Sequence, residues 1–324
     1  MASQPKLLLT RRWPAPVEAE MRLRYDVTVD PDDRPLTEAQ LREAMTLFDV
    51  LCPTVCDRID ASVLSVSNPR VTLVASYGAG VDHIDLKAAA AARLMVSNTP
   101  DVTTDATADT AILLMMMASR RASEGERELR AGRWSGWHPT HLVGQSLSGK
   151  TLGLVGLGRI GQATATRAAR AFGMKILYHS RTRRPAEIEA ETGARYVASL
   201  DALAAEADVL SLHCHGGPAT RHLVNRRLLQ LMKPSAILIN TARGSIVDEA
   251  ALADALAAGT IWAAGLDVFE REPNIPHALL RLPNAVLLPH LGSAVEQTRV
   301  AMGMRVVANI DSFFAGKELP DRVS

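Results

Sequence analysis

Six residues, Gly156-Leu-Gly158-Arg-Ile-Gly161, give the first chemical signal. They follow the apolar run Leu152–Val155 and open an Ala-rich helical stretch, the setting in which Gly-x-Gly-x-x-Gly marks a dinucleotide site. Gly156 permits the tight turn, Gly158 lets backbone approach a pyrophosphate, and Gly161 lets helix and strand pack closely. The helix amino terminus then offers its unpaired N–H groups to phosphate. An NAD site usually places Asp or Glu about 20 residues on, at the end of the second strand. Here the strand ends Tyr178-His179-Ser180-Arg181-Thr182-Arg183-Arg184, with Ser180 19 residues after Gly161 and no carboxylate before Glu187. A hydroxyl with three arginines suits a 2′-phosphate, which guanidinium groups pair by charge-assisted bonds. NADP(H) is therefore the expected cofactor and NAD(H) the alternative, with a solvated basic turn as the plainer account of the arginines.

Three further clusters follow apolar runs. Thr241-Ala242-Arg243-Gly244 follows Ile237–Asn240, Asp267 to Pro273 follows the run from Ala263, and Pro289-His290-Leu291-Gly292-Ser293 follows Ala285–Leu288. Ligands of open parallel sheets bind beyond the carboxyl ends of the strands, so all three clusters are expected at the cofactor cleft. They supply a cation, a carboxylate and an imidazole, the set needed for proton-coupled hydride transfer to a 2-oxo acid. Arginine would take the substrate carboxylate and polarise its carbonyl. Histidine would protonate the developing alkoxide, with a carboxylate keeping it charged. His213-Cys214-His215 resembles a metal cluster, but strand alternation would point Cys214 away from both histidines and no fourth ligand follows. No metal is expected.

The elements that must carry these residues come in two sets. The first hundred residues give short apolar runs at Lys6–Thr10, Val27–Val29, Val50–Leu51, Val71–Ala75 and Leu94–Ser97. Helical stretches at Thr37–Leu47 and Leu86–Ala92 lie between them, which argues for a parallel sheet. A long helix is predicted from about Thr103 to Ser119, its Ala/Leu/Met content suiting burial. Six strands then read at Thr151–Val155, Lys175–Tyr178, Val209–His213, Ala236–Asn240, Ala263–Val268 and Ala285–Leu288. Helices at Ile160–Phe172, Leu200–Ala207 and Glu249–Ala258 separate them. This is the pattern of a doubly wound Rossmann domain. A last helix, Ala294–Phe314, is expected to return to the first domain and make it discontinuous.

The 324 residues carry 36 Lys+Arg against 35 Asp+Glu, a net charge of +1. That balance lacks the bulk attraction of a nucleic-acid binder or a polybasic membrane protein. The longest apolar run, Ala111–Ala118, is far below the roughly 20 residues that cross a bilayer, and the amino terminus does not read as a signal peptide. Cys52, Cys56 and Cys214 read as reduced thiols of a soluble, cytoplasmic protein.

The sequence resembles the D-isomer-specific 2-hydroxyacid dehydrogenases, most of all their glyoxylate/hydroxypyruvate reductase branch. The likeness runs from Gly78-Ala79-Gly80-Val81-Asp82-His83-Ile84-Asp85, through Asn98-Thr99-Pro100 and the glycine motif, to Pro289-His290-Leu291-Gly292-Ser293. It implies a smaller flavodoxin-like α/β substrate domain over residues 1–102 and 292–324. A Rossmann domain would span 103–291, with a dimerisation arm at about 120–148. The catalytic set it implies is Arg243, Glu272 and His290, with Ala79 and Gly80 offering N–H groups to the substrate carboxylate. Implied cofactor contacts are Thr104, Gly156, Gly158, Arg159, Ile160, Gly161, Ser180, Arg181, Thr182, Cys214, Thr241, Ala242, Arg243, Asp267, Gly292 and Ser293, Asp267 bonding the nicotinamide amide. Asp101 stands where many relatives have glycine, and His213-Cys214-His215-Gly216-Gly217-Pro218 replaces more usual apolar residues.

Trp134 and Trp137 fall in an irregular stretch. Packing under a loop would account for them; the resemblance implies instead that Trp137 reaches the substrate pocket of the partner in a homodimer. The expected activity is NADPH-dependent reduction of a small 2-oxo acid, glyoxylate or hydroxypyruvate, to glycolate or D-glycerate. The rivals are a D-2-hydroxyacid dehydrogenase for a bulkier 2-oxo acid and a nucleotide-sensing corepressor.

Overall fold

A computed structural model describes residues 4–323. It divides the chain into two compact units, one running to Thr103 and resuming at Ala294, the other spanning Thr104–Ser293. The first unit opens with β1 (Lys6–Leu9), α1 (Ala15–Arg22), β2 (Asp26–Val29), α2 (Glu38–Leu47) and β3 (Val50–Cys52). It continues with α3 (Ala61–Leu64), β4 (Leu73–Ala75), α4 (Leu86–Ala91) and β5 (Met95–Ser97). The strands form one parallel sheet in the order β2-β1-β3-β4-β5, the flavodoxin-like order. Polar caps start the helices. Thr37 and Gln40 form a reciprocal capping box on α2, and Asp60 and Asp85 accept the first free N–H groups of α3 and α4. Both faces of the sheet are covered. Leu7 and Leu9 face Val17 and Met21 on one side, while Leu8 faces Leu41, Met45 and Val63 on the other.

The second unit begins with α5 (Thr104–Ser119) and α6 (Ala122–Arg130), then β6 (Thr151–Val155), α7 (Arg159–Phe172), β7 (Lys175–His179), α8 (Ala186–Thr192) and β8 (Ala194–Tyr196). It goes on through α9 (Leu200–Glu206), β9 (Val209–Leu212), α10 (Arg226–Leu231) and β10 (Ile237–Asn240). α11 (Glu249–Ala257), β11 (Ala263–Leu266), α12 (His277–Arg281) and β12 (Ala285–Leu287) complete it. Seven parallel strands lie in the order β12-β11-β10-β9-β6-β7-β8. Chain order reverses beside β6, whose neighbours are β7 and β9. That is the switch point at which doubly wound sheets bind ligands. Leu152 and Leu154 pack into one face of the sheet and Val155, Leu210 and Leu238 into the other.

The sheet has seven strands where the sequence predicts six. The extra one, β8, is a three-residue edge strand, too short to show a period, and its Tyr196 packs on Tyr178 of β7. Predicted strands also end too late. β9 stops at Leu212 rather than His213, and β11 at Leu266 rather than Val268, because the chain turns away to build the site. α1, α3, α6, α8, α10 and α12 escape the sequence reading; most run for two turns or fewer. Nor is α5 buried all round, since Leu113 and Met116 are exposed. No helix among the described residues is long and apolar enough to cross a membrane.

The final helix, α13 (Glu296–Phe314), belongs to the first unit and packs on α1. The two approach at Gly303, where a Cβ would lie 2.5 Å from Val17 Cγ1 and 2.7 Å from Cγ2. Gly303→Val should therefore force α1 and α13 apart. Overpacking of this kind costs about 1–3 kcal/mol. The expected result is a lower denaturant midpoint for this unit, and an unchanged midpoint would show that the helices shift freely.

Candidate active site

Every predicted cofactor and catalytic residue of the second unit except Thr104 follows the carboxyl end of a strand; Thr104 opens α5. After β6, Gly156 takes φ +97°, and a Cβ there would meet the His213 carbonyl oxygen at 2.7 Å. Only glycine accepts both conditions. A Cβ on Gly161 would lie 2.5 Å from the Gly156 oxygen, so α7 presses against the turn. Gly158 differs, because a Cβ there meets nothing within 4 Å, and α7 starts from it without a side-chain cap. Arg159 and Ile160 form the first helical turn. The glycine turn is thus closed on the strand side and open on the side of the helix amino terminus, which fits a pyrophosphate. Thr241, after β10, adds a buried Oγ1 without a hydrogen-bond partner, a further polar group suited to a bound nucleotide.

The turn after β7 sorts the three arginines. Ser180 Oγ donates to the Thr182 carbonyl at 2.6 Å and closes the turn. Arg183 pairs bidentately with Glu189 at 2.9 and 2.8 Å and lies over the Tyr196 ring. Arg184 gives its backbone N–H to the Tyr178 hydroxyl. Arg181 is exposed and makes no hydrogen bond or ion pair among the described residues. The arginines are therefore not equivalent: the Arg183 side chain is held by Glu189, while the exposed side chains of Arg181 and Arg184 make no hydrogen bond or ion pair among the described residues.

Arg243, Glu272 and His290 are brought together from the ends of β10, β11 and β12. Asn240, 1% exposed, clamps the first loop, its Oδ1 accepting the Ala242 N–H at 3.0 Å and its Nδ2 donating to the Arg243 carbonyl at 2.9 Å. Gly244 then lies against the second loop, where a Cβ would sit 1.8 Å from the Phe269 carbonyl carbon. In that second loop Glu272 Oε1 accepts the Phe269 N–H at 2.9 Å, and Oε2 lies 2.8 Å from His290 Nδ1. Burial pushes the Glu272 carboxyl up, but the bond to His290, its charge, the Phe269 N–H and the Arg243 charge together hold it below the usual carboxylate range. His290 itself takes φ +56°, a left-handed conformation uncommon outside glycine. Its N–H is fixed on the Asp267 carbonyl at 2.9 Å.

Asp267 is 1% exposed, and its two carboxylate oxygens accept the Leu291 and Gly292 N–H groups at 2.6 and 2.7 Å. Burial pushes this carboxyl above its ordinary range against those bonds. Both oxygens thus hold the His290 loop, a role the expected nicotinamide contact does not include. Thr107 Oγ1 secures the same loop through the Gly292 carbonyl at 3.1 Å, beside Ser293.

In the first unit, Ala79 and Gly80 lie in the bend after β4, where Asn98 Nδ2 takes the Ala79 carbonyl at 2.7 Å. Their own N–H groups make no hydrogen bond among the described residues. Trp137, in the second unit, is 82% exposed.

The family model for the D-isomer specific 2-hydroxyacid dehydrogenase NAD binding domain matches residues 112–292. The chain belongs to that family. It is 42% identical over 325 residues to a glyoxylate reductase of Thermococcus litoralis, covering 99% of this chain and 97% of that one. It is 44% identical over 328 residues to a glyoxylate reductase of Aeropyrum pernix, covering 99% and 96%. Among solved structures it is similar to the NADPH-dependent glyoxylate/hydroxypyruvate reductase of Sinorhizobium meliloti in complex with NADP and malonate. That match has a TM-score of 0.88 and 38% identity and covers 99% and 97% of the two chains. This D-2-hydroxyacid dehydrogenase is an NAD(P)-dependent oxidoreductase, and a nicotinamide dinucleotide is its cofactor.

Sequence reasoning missed the residues that brace the dehydrogenase's loops: Asn240, Thr107 and Glu249. Only a buried Asn at a strand end signals one of them. The alternation argument for Cys214 also falls, because β9 ends before His213 and the segment is no longer a strand. His213 lies beneath the glycine turn, its Nε2 2.9 Å from Ser211 Oγ, and burial pushes its imidazolium down to about 4. Its folded value is depressed, so the stability it contributes is complete above the ordinary 6.5 and is lost as pH falls toward 4. An imidazole NMR titration should find His213 neutral throughout pH 5–8, and a midpoint near 6.5 would contradict its burial.

Proposed function

We propose that this enzyme uses NADPH to reduce glyoxylate or hydroxypyruvate to glycolate or D-glycerate, with His290 as the general acid. The observation that carries the reading is the 2.8 Å contact from His290 Nδ1 to Glu272 Oε2. It leaves Nε2, the other ring nitrogen, to face substrate. Glu272 favours the imidazolium, and His290 gives its Nε2 proton to the substrate O2 as the carbonyl becomes an alkoxide. Arg243 would bind one carboxylate oxygen and polarise the carbonyl, and the N–H groups of Ala79 and Gly80 would take the other carboxylate oxygen. The bound nicotinamide supplies the hydride that forms the new C2–H bond. His290→Ala should lower kcat by about 10²–10⁴-fold, the usual worth of a positioned proton donor. Near-full turnover would remove His290 from the mechanism. Faster reduction of phenylpyruvate than of either small acid would favour the bulkier-substrate reading.

Cofactor choice is assigned to Arg181 and Ser180. Arg181, with no partner of its own, would pair with the 2′-phosphate. Ser180 lacks the charge that repels it. A charge-assisted bond is worth about 1.5–3 kcal/mol, roughly ten- to a hundredfold. NADPH should exceed NADH by at least about tenfold in kcat/KM, with Arg181→Ala erasing most of that and Ser180→Asp reversing it. Equal use of both cofactors by the parent enzyme would return the arginines to a solvated turn.

A two-fold dimer through the 120–148 segment is the proposed assembly, with Trp137 reaching the partner's substrate pocket. Trp134, Trp137, Leu129 and Val143 are all exposed on this segment, apolar side chains that a partner subunit would cover. Sedimentation of an active enzyme as a monomer at micromolar concentration would contradict it.

A further inference from the structure

The loop that carries Glu272 ends on a second carboxylate that no step of the proposed reaction uses. Glu249 opens α11, yet only 8% of it is exposed. First-turn acids of most helices sit in water, where they meet the helix dipole at little cost. Here Glu249 Oε1 accepts the Glu270 N–H at 2.8 Å, next to the Phe269 N–H that Glu272 Oε1 accepts at 2.9 Å. Two successive N–H groups of one loop thus end on two different carboxylates. The Glu270 side chain is held as well, by His222 Nε2 at 3.1 Å and by Arg221. Burial pushes the Glu249 carboxyl up, the Glu270 N–H draws it down, and the charges of Glu270 and Glu272 push it up again. Burying an acid beside two others costs free energy, and what offsets it here is first the backbone bond in this loop and then the charge of His222.

We propose that Glu249 is a positioning residue for the reduction: by fixing the Phe269–Glu270 peptide it holds Glu272 where its second oxygen reaches His290. This inference rests on the pairing of His290 and Glu272 described above. The charged groups around that pair are Arg243, Asp267, Glu249 and Glu270, with His222 and Arg221 behind Glu270. Loss of the Glu249 bond leaves all of these except Glu249 in place and frees the peptide between them. Glutamine at 249 keeps a carbonyl acceptor at the same reach and removes the charge, so it separates the bond from the field.

The test measures kcat and KM for glyoxylate reduction from pH 5 to 10 in the full-length enzyme, with NADPH binding by fluorescence as a check on folding. Glu249→Ala should lower kcat about 10- to 100-fold, the cost of small misplacements at reacting groups. It should leave NADPH binding within twofold and move the basic limb of kcat/KM to lower pH, because a displaced Glu272 no longer supports the imidazolium. Glu249→Gln should recover most of kcat and the parent limb. If Glu249→Ala does not bind NADPH, Glu249→Asp takes its place: its oxygen is withdrawn by one methylene, and the limb should still move. A parent-like limb in Glu249→Ala or Glu249→Asp, or Glu249→Gln no better than Glu249→Ala, overturns the proposal. Glu272→Gln run alongside tells the two failures apart. If it moves the limb and the Glu249 variants do not, only the positioning role falls; if it leaves the limb in place, the His290–Glu272 reading falls and takes this inference with it.

Discussion

Gly244 packs against the backbone of Phe269 so closely that a Cβ would sit 1.8 Å from the carbonyl carbon. No side chain intervenes between the loop carrying Arg243 and the loop carrying Glu272. Parallel strands lie only about 4.8 Å apart, so loops leaving adjacent strands either splay or share backbone contact. Here β10, β11 and β12 are neighbours, and their three loops stay together. The Arg243, Glu272 and His290 side chains inherit their proximity from that crowding.

Buried polar groups turn the crowding into one geometry. Asn240 closes the first loop, Glu249 and Glu272 take successive N–H groups of the second, and Asp267 takes those of Leu291 and Gly292 in the third. Each is an acceptor aimed at backbone that would otherwise be unsatisfied, and orphaned N–H groups cost about as much as a lost hydrogen bond. The same bonds explain how His290 keeps a left-handed backbone: its own N–H and the two that follow it all end on Asp267. Such conformations persist where the surroundings over-determine them. Electrostatics then push the two acids apart. The Glu272 carboxyl, beside the imidazole, is held below its usual range, whereas burial pushes that of Asp267 above it.

The nucleotide end of the sheet follows the same logic with fewer parts. Gly156 and Gly161 close the turn against the backbone beneath it, while Gly158 leaves space above the helix. One arginine of the basic turn is consumed in building it: Arg183 locks Glu189, while Tyr178 holds only the backbone N–H of Arg184, so the side chains of Arg181 and Arg184 stay in the open.

Composition and order along the chain were enough for the two sheets, the glycine turn and the three loops that carry Arg243, Glu272 and His290. Parallel strands buried on both faces read as apolar runs, and a phosphate turn needs glycine at set positions. These are local demands, and they leave local marks. The edge strand β8 and the short helices left none, since three to nine residues show too little periodicity. The bracing acids were hidden for a different reason. Asp267 and Glu249 look like Glu270 in sequence, and only burial and the backbone N–H groups they meet set them apart as braces. Likewise Arg181, Arg183 and Arg184 form one basic turn in the chain, and Arg183 parts from the other two only when Glu189 is folded against it.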